Sequence, residues 1–341
     1  MEKEPPQRLV STWEAITKDD EGEAHIHTLH KYEVVPDEVG EEQFINQAAP
    51  TQITPGELFR PRRRDRLAVV LPDAQIPFHD EKALEMAHAA VRELSPDRVV
   101  LLGDMVDLPG QSSFDTHPNH TGIVQDQLDQ THNMLAQIRA NAPDAQIDYI
   151  PGNHEKRLQR QVMQKNAELL GIKRANAEES LGVLTLEFLL RLGELEVNMA
   201  AEYPNGEVWL NDETVAVHGT TSSASSSTSA RYLSRAPHLN TIHGHSHRAE
   251  IQWKTSRTRG GAMDRWAMSP GTLADRGGSV PSHGSSMDDM GRHNDRTENW
   301  QHAVGLVEYN NQMSNPELAM IRNGILKLRG ESYGVEEQQL F

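Results

Sequence analysis

Five short segments of the 341-residue chain carry side chains that can hold a metal ion. They are Pro72–Gln75 (PDAQ), Gly103–Asp107 (GDMVD), Gly152–Glu155 (GNHE), Val217–Gly219 (VHG) and Gly244–Arg248 (GHSHR). The chain has no cysteine, so disulfides and thiolate sites are excluded. Any metal must be held by oxygen and imidazole. Two divalent ions about 3.5–4 Å apart can clamp the attacking and leaving oxygens of a phosphoryl displacement. Such a pair needs an anion shared between the ions. It also needs neutral nitrogen and oxygen ligands, so that a phosphate is not repelled. Asp, His and Asn together meet both needs. Mixed imidazole and carboxylate ligands suit Mn, Fe, Zn or Ni more than Mg or Ca.

The elements that position these segments are legible as buried strands. The apolar runs Leu67–Pro72, Arg98–Gly103 and Ile147–Gly152 each stop at a metal-capable segment. Helical spacing separates them, over Glu81–Leu94 and Thr121–Asn141. Strand–helix alternation predicts parallel strands with crossover helices. A further helix starts near His154, and Ser180–Gly193 is a helix candidate. Short strands follow: Val208–Asn211, Thr214–Gly219, Asn240–Gly244, Glu250–Trp253, Arg265–Ser269 and Ala303–Tyr309. In an open α/β sheet, ligands bind outside the carboxyl ends of the strands, so the five segments should meet on one rim. His79 and Asp80 read as a turn and helix N-cap. Glu155 reads as a first-turn carboxylate favoured by the helix dipole. Trp253, Trp266 and Trp300 read as core or loop-anchoring residues.

The flanks differ from this centre. Residues 1–62 are rich in Glu, Asp, Gln and Pro and read as an acidic, largely disordered or loosely docked extension. The domain that carries the five segments is expected over 63–312, with a C-terminal extension over 313–341. The stretches Thr220–Ala230 and Gly277–Asn299 read as loops that shape a pocket. Net charge is −17, from 33 Lys and Arg against 50 Asp and Glu, which disfavours nucleic acid and anionic membranes at long range. The basic cluster Arg60–Arg66 is the local exception. No apolar run approaches the roughly 20 residues needed to span a bilayer. The expected setting is cytoplasmic, in a bacterial host if the gene is phage-borne, with no membrane partner.

The order D-x-(H), G-D-x-x-D, G-N-H-E, H-G, G-H-x-H resembles the calcineurin-like metallophosphoesterase superfamily, from about Leu67 to Tyr309. The segments IPFHD (Ile76–Asp80), GNHEKRL and the late NWQ (Asn299–Gln301) are similar to phage-encoded and bacterial members. The resemblance implies an α/β/β/α sandwich, with two facing mixed sheets flanked by helices. It implies that Asp73 and His247 ligate a first metal, and Asn153, His218 and His245 a second, with Asp104 bridging both. It implies His154 beside the scissile phosphate, stabilising it or protonating the leaving oxygen, with Asp107 either its orienting partner or a cap of the next turn. A metal-activated hydroxide is the implied nucleophile. The cofactor is then two divalent ions, Mn²⁺ first, with Fe, Zn, Ni or Mg as alternatives. Arg157 and Arg248 read as surface ion-pairing residues or, near the rim, as candidates to grip phosphate.

One position departs from that pattern. The first motif ends in Gln75 where the family has His. Gln75 can ligate through its amide oxygen, His79 can supply the missing imidazole, or the first site is weak. The expected activity is hydrolysis of phosphomonoesters or phosphodiesters. One alternative is a DNA or RNA nuclease, with nucleic acid as substrate but not as a tight duplex partner. Another is a non-catalytic binding protein with a degraded first metal site.

Overall fold

The computed structural model describes residues 7–18, 24–34, 65–112, 123–176, 181–222, 227–259, 261–277, 280 and 299–334. The chain divides into two compact units, Met1–Arg63 and Arg64–Phe341. In the first, β1 (Gln7–Lys18) and β2 (Ala24–Val34) form an antiparallel pair. The register sets Trp13 opposite Leu29 and Ile16 opposite Ile26, with an irregularity between Leu9 and Ser11. An extension without sustained structure was the expectation here. The β-branched and aromatic residues of these two runs favour strands, and the surrounding charge hides their pattern. Arg60 to Arg64 and most of the 277–299 stretch lie outside the described residues.

In the second unit the apolar runs become strands in chain order. They are β3 (Arg66–Leu71), β4 (Arg98–Leu101), β5 (Gln146–Tyr149), β6 (Val197–Met199), β7 (Glu207–Asn211), β8 (Thr214–Val217) and β9 (Asn240–His243). After these come β10 (Ala249–Thr258), β11 (Gly261–Pro270), β12 (His302–Tyr309), β13 (Ser314–Arg322), β14 (Ile325–Leu328) and β15 (Glu331–Tyr333). One sheet has eight strands in the order β15-β14-β13-β12-β3-β4-β5-β6, and the other has five, β10-β11-β9-β8-β7. Strands β3 to β6 run parallel, and β12 joins β3 antiparallel. Strand β9 is parallel to both β8 and β11. Both sheets are therefore mixed.

Period-two alternation assigns the faces. Ala68, Val70, Val100 and Leu102 pack against Ala216, Ile242, Trp266 and Met268 of the second sheet. Their neighbours Val69, Leu71, Val99 and Leu101 face the helices. Both faces of β3 and β4 are buried, so the runs read as continuously apolar. Helices α1 (Glu81–Leu94) and α2 (Val124–Asn141) cover the outer face through Ala83, Met86, Ala87, Leu128, Leu135 and Ile138. Helix α3 (Lys156–Lys165) follows β5, α4 (Leu186–Leu189) is a single turn, and α5 (Thr228–Arg235) packs on the second sheet. The four layers are those of the expected α/β/β/α sandwich.

Two expectations differ from the structure. The helix candidate Ser180–Gly193 shrinks to α4, because Arg191 adopts a left-handed φ of 54° and turns the chain toward β6. The stretch 313–341, expected as an extension, contributes β13 to β15 to the larger sheet. Ala319, Ile321, Leu326 and Leu328 are buried there, and long-range pairing rather than a local apolar run secures them.

Helix α1 begins where its cap predicts, with Asp80 accepting from the Ala83 N–H at 2.9 Å. The same helix buries His88, and desolvation, with Arg92 and His79 nearby, pushes its pKa down to about 4. The unfolded chain therefore takes up this proton first. Stability contributed by the neutral imidazole is present above pH 6.5 and is lost as pH falls toward 4, by about 3 kcal/mol at the limit. Urea unfolding between pH 7 and pH 4 should show a smaller acid loss for His88→Gln than for wild type. Equal slopes for both proteins would contradict this.

Candidate metal centre

The five segments converge. Pro72–Gln75, Gly103–Asp107 and Gly152–Glu155 follow the carboxyl ends of parallel strands β3, β4 and β5. His218 follows β8, and Gly244–His247 follows β9. Asp73, Gln75, Asp104, Asp107, His154, His218 and His247 are buried, while Asn153 and His245 are half-buried. Asp104, His218 and His245 each bring a ligand atom within 4.8 Å of the others, forming a candidate metal-binding triad. The Asn153 Oδ1 lies 3.1 Å from His218 Nε2, which extends this group to four residues.

A second group adjoins it. Asp73 Oδ2 lies 3.0 Å from His247 Nε2 and accepts from the His245 N–H at 3.1 Å. One end of the Gln75 amide sits 3.3 Å from His247 Nε2. The other end, assigned as Oε1, is buried and has no hydrogen-bond partner among the described residues. A buried amide with an unsatisfied acceptor beside Asp73 and His247 is suited to a cation. His79 does not join this group. It lines a separate hollow with Glu81, Glu85 and His88.

The backbone concentrates strain at these residues. Gln75, Asp104, His245 and His247 all have left-handed φ values, between 51° and 63°. Side chains disfavour that region, and a cluster of such residues points to a site that the fold over-determines. Gly103, at φ 92°, lets the β4 loop pass against Gly152, where a Cβ would meet backbone at 2.6 Å. At Gly152 a Cβ would stand 2.1 Å from Asp104 Oδ1.

Electrostatics follow from crowding. Burial opposes ionisation of Asp104, but His154, His218 and His245 outweigh it and hold the carboxyl well below its usual range. Burial likewise opposes a charged His218. Asp104, Asp73 and Glu155 overcome it and push the imidazole up to about 10. The site thus has carboxylates that stabilise positive charge strongly, and a bound cation would displace that proton. Desolvation and His218 lower the pKa of His245. His218 is oriented by the Leu102 carbonyl, 2.7 Å from Nδ1, as metal-binding imidazoles commonly are.

His154 stands between two carboxylates. Its Nδ1 is 2.5 Å from Asp107 Oδ1, and its Nε2 is 3.6 Å from Asp104 Oδ2. Burial works against the imidazolium, yet Asp104 and Asp107 raise the pKa overall. Arg157 is turned to the same pair. It donates to the Asp107 carbonyl at 2.5 Å and to His154 Nε2 at 3.0 Å. One turn of helix separates Arg157 from His154, so the buried guanidinium fastens Asp107 and His154, where a surface ion pair or a grip on phosphate was the expectation. Arg248 is half-buried at the start of β10.

Three neighbours were not read as site residues. Glu155 is buried, and its carboxylate accepts from the N–H groups of Asp104 and Met105 at 2.8 Å and Gly152 at 2.7 Å. It also accepts from Tyr149 Oη at 2.7 Å. The first-turn reading missed this clasp. The signal that could have revealed it is the tight GDMV turn, whose buried donors need an acceptor. The Tyr203 ring meets His218 edge-on at 5.8 Å, and Trp300 meets His247 at 4.0 Å. Trp300 keeps its anchoring role, packed with Ala274 and Val280.

No family model matches the chain. It is similar to the Gene 54 protein of Mycobacterium phage L5, 24% identical over 270 residues, covering 78% of this chain and 98% of the relative. The Gene 54 protein of Mycobacterium phage D29 is 26% identical over 271 residues, with the same coverage. Among solved structures, a Vps29 single mutant from Entamoeba histolytica matches at 12% identity and a TM-score of 0.36, covering 79% of this chain and 99% of that one. YfcE, a phosphoesterase from E. coli, matches at 11% identity and a TM-score of 0.33, covering 79% and 100%. Among the described residues no helix is long and apolar enough to cross a membrane.

Proposed function

We propose that this protein is a metal-dependent phosphoesterase that uses two divalent ions, Mn²⁺ foremost. The observation that supports this best is the Asp104–His218–His245 cluster, with Asp73, Gln75 and His247 beside it. In this reading Asp73, Gln75 and His247 hold one ion, and Asn153, His218 and His245 hold the other. Asp104 serves both. Bound ions would draw charge from the phosphoryl oxygens and acidify water. His154, held by Asp107, faces the developing charge and carries a proton at Nε2 to the leaving oxygen. For that, Nε2 must exchange its contact with Arg157 for one with substrate. The proposed setting is the cytoplasm of a bacterial host, which the phage source of the two relatives supports.

The test is a substrate panel with defined metals, comparing wild type with His154→Ala. The panel holds 4-nitrophenyl phosphate, bis(4-nitrophenyl) phosphate, and single- and double-stranded DNA. With Mn²⁺, wild type should hydrolyse at least one aryl ester. His154→Ala should lose roughly 10²–10³-fold in kcat with its metal content unchanged. Cleavage confined to DNA would favour a nuclease. Wild type and variant equally inert across metals would favour a binding protein.

A further inference from the structure

A hollow of about 130 Å³ shares a wall with the metal centre. Pro151, Glu155 and Lys156, which flank Asn153 and His154 in sequence, form one side. Tyr203, whose ring edge meets His218, forms another. The remaining lining is largely apolar, with Leu158, Val162, Leu184, Leu186 and Met199. Two hydrogen bonds fix the walls. Lys156 Nζ donates to the Tyr203 carbonyl at 2.8 Å, and Gln159 donates to Glu202. Leu170 in the lining is 51% exposed, and Met163, Ile172 and Leu181 of the adjoining segments are exposed as well.

Resting on the phosphoesterase reading, we infer that this hollow is a specificity pocket for one neutral, ring-sized apolar group of the ester. Size supports this, since an apolar protein cavity of roughly 150 Å³ accepts benzene. Charge supports it as well. The lining carries three carboxylates, Glu155, Glu187 and Glu202, against one cation, Lys156, which disfavours a second phosphate and a nucleic-acid strand continuing this way. Phosphate remains at the metal centre, and Tyr203, which lines the hollow and meets His218 edge-on, places the two side by side. No residue of the metal centre points to this preference. It comes from what lies next to that centre.

The test compares binding of phenylphosphonate and methylphosphonate to the full-length, Mn²⁺-loaded chain by calorimetry. Both probes carry the same headgroup on a P–C bond that the reaction cannot cleave. Wild type should bind phenylphosphonate at least tenfold more tightly. Val162→Trp fills the hollow and should abolish that preference while leaving methylphosphonate affinity unchanged, which also shows that the variant is folded. Equal affinities in wild type, or a preference that survives Val162→Trp, would overturn the pocket and leave the phosphoesterase reading standing. Binding of neither phosphonate to wild type would overturn both.

Discussion

Replacing Asp104 by Asn should remove at least one of the two proposed ions and abolish hydrolysis with it. Asp104 is the carboxylate that touches two of the site's imidazoles, His154 and His218. Its Oδ2 lies 3.4 Å from His218 Nε2 and 3.6 Å from His154 Nε2, and its Oδ1 accepts from the His154 N–H at 2.8 Å. The amide keeps the shape and loses the charge. Without that anion, nothing between the two ligand groups offsets the repulsion of two divalent ions. The expected loss in kcat/KM is at least about 10⁴-fold, beyond what removal of one general acid usually costs. Metal content, measured on the purified variant, should fall to one ion per chain or fewer. An Asp104→Asn protein that keeps two ions and most of its activity would remove Asp104 from the centre of the site.

The second large effect is on stability. Glu155→Ala should destabilise the fold by about 4 kcal/mol, because three backbone N–H groups and the Tyr149 hydroxyl lose their acceptor inside the protein. A loss of that size is exceptional for a single substitution. The same carboxylate holds the turn on which Asp104 takes its left-handed backbone. Metal affinity should therefore weaken even though Glu155 is not a proposed ligand. Tyr149→Phe removes only one of these hydrogen bonds and should cost about 1 kcal/mol. Urea unfolding of the three proteins checks both figures. Equal midpoints for wild type and Glu155→Ala would show that the clasp contributes nothing.

How much of this was readable depends on range. Asp73, Asp104, Asn153, His218, His245 and His247 stood out because each ends an apolar run, and both the run and its end are local signals. Helix α1 was legible from Asp80 to Leu94 for the same reason. Glu155 was not, because its partners Asp104 and Met105 lie about fifty residues upstream and only the fold brings them near. Arg157 was read as a surface ion-pairing residue or a grip on phosphate, because a basic residue near a rim invites both readings. The buried contact with Asp107, fifty residues upstream, exists only because the fold brings α3 against the β4 loop. Strands β13 to β15 were missed because they are secured by pairing with β12 and with one another. The hollow beside Tyr203 gathers residues from Pro151 to Tyr203 with no common spacing.

The asymmetry at Gln75 leads to the most direct test. In the proposed reading, Asn153, His218 and His245 would give one ion neutral ligands, whereas the other would depend on Gln75, an amide where the pattern that the sequence resembles has imidazole. Amide oxygen is the weaker donor for a transition metal. The measurement is a Mn²⁺ titration of the metal-stripped full-length chain, following bound metal and bis(4-nitrophenyl) phosphate hydrolysis together. Two ions should bind per chain in unequal steps, and hydrolysis should rise with the weaker one. Full hydrolysis by the metal-free chain, or no bound Mn²⁺ at all, would contradict a two-metal phosphoesterase.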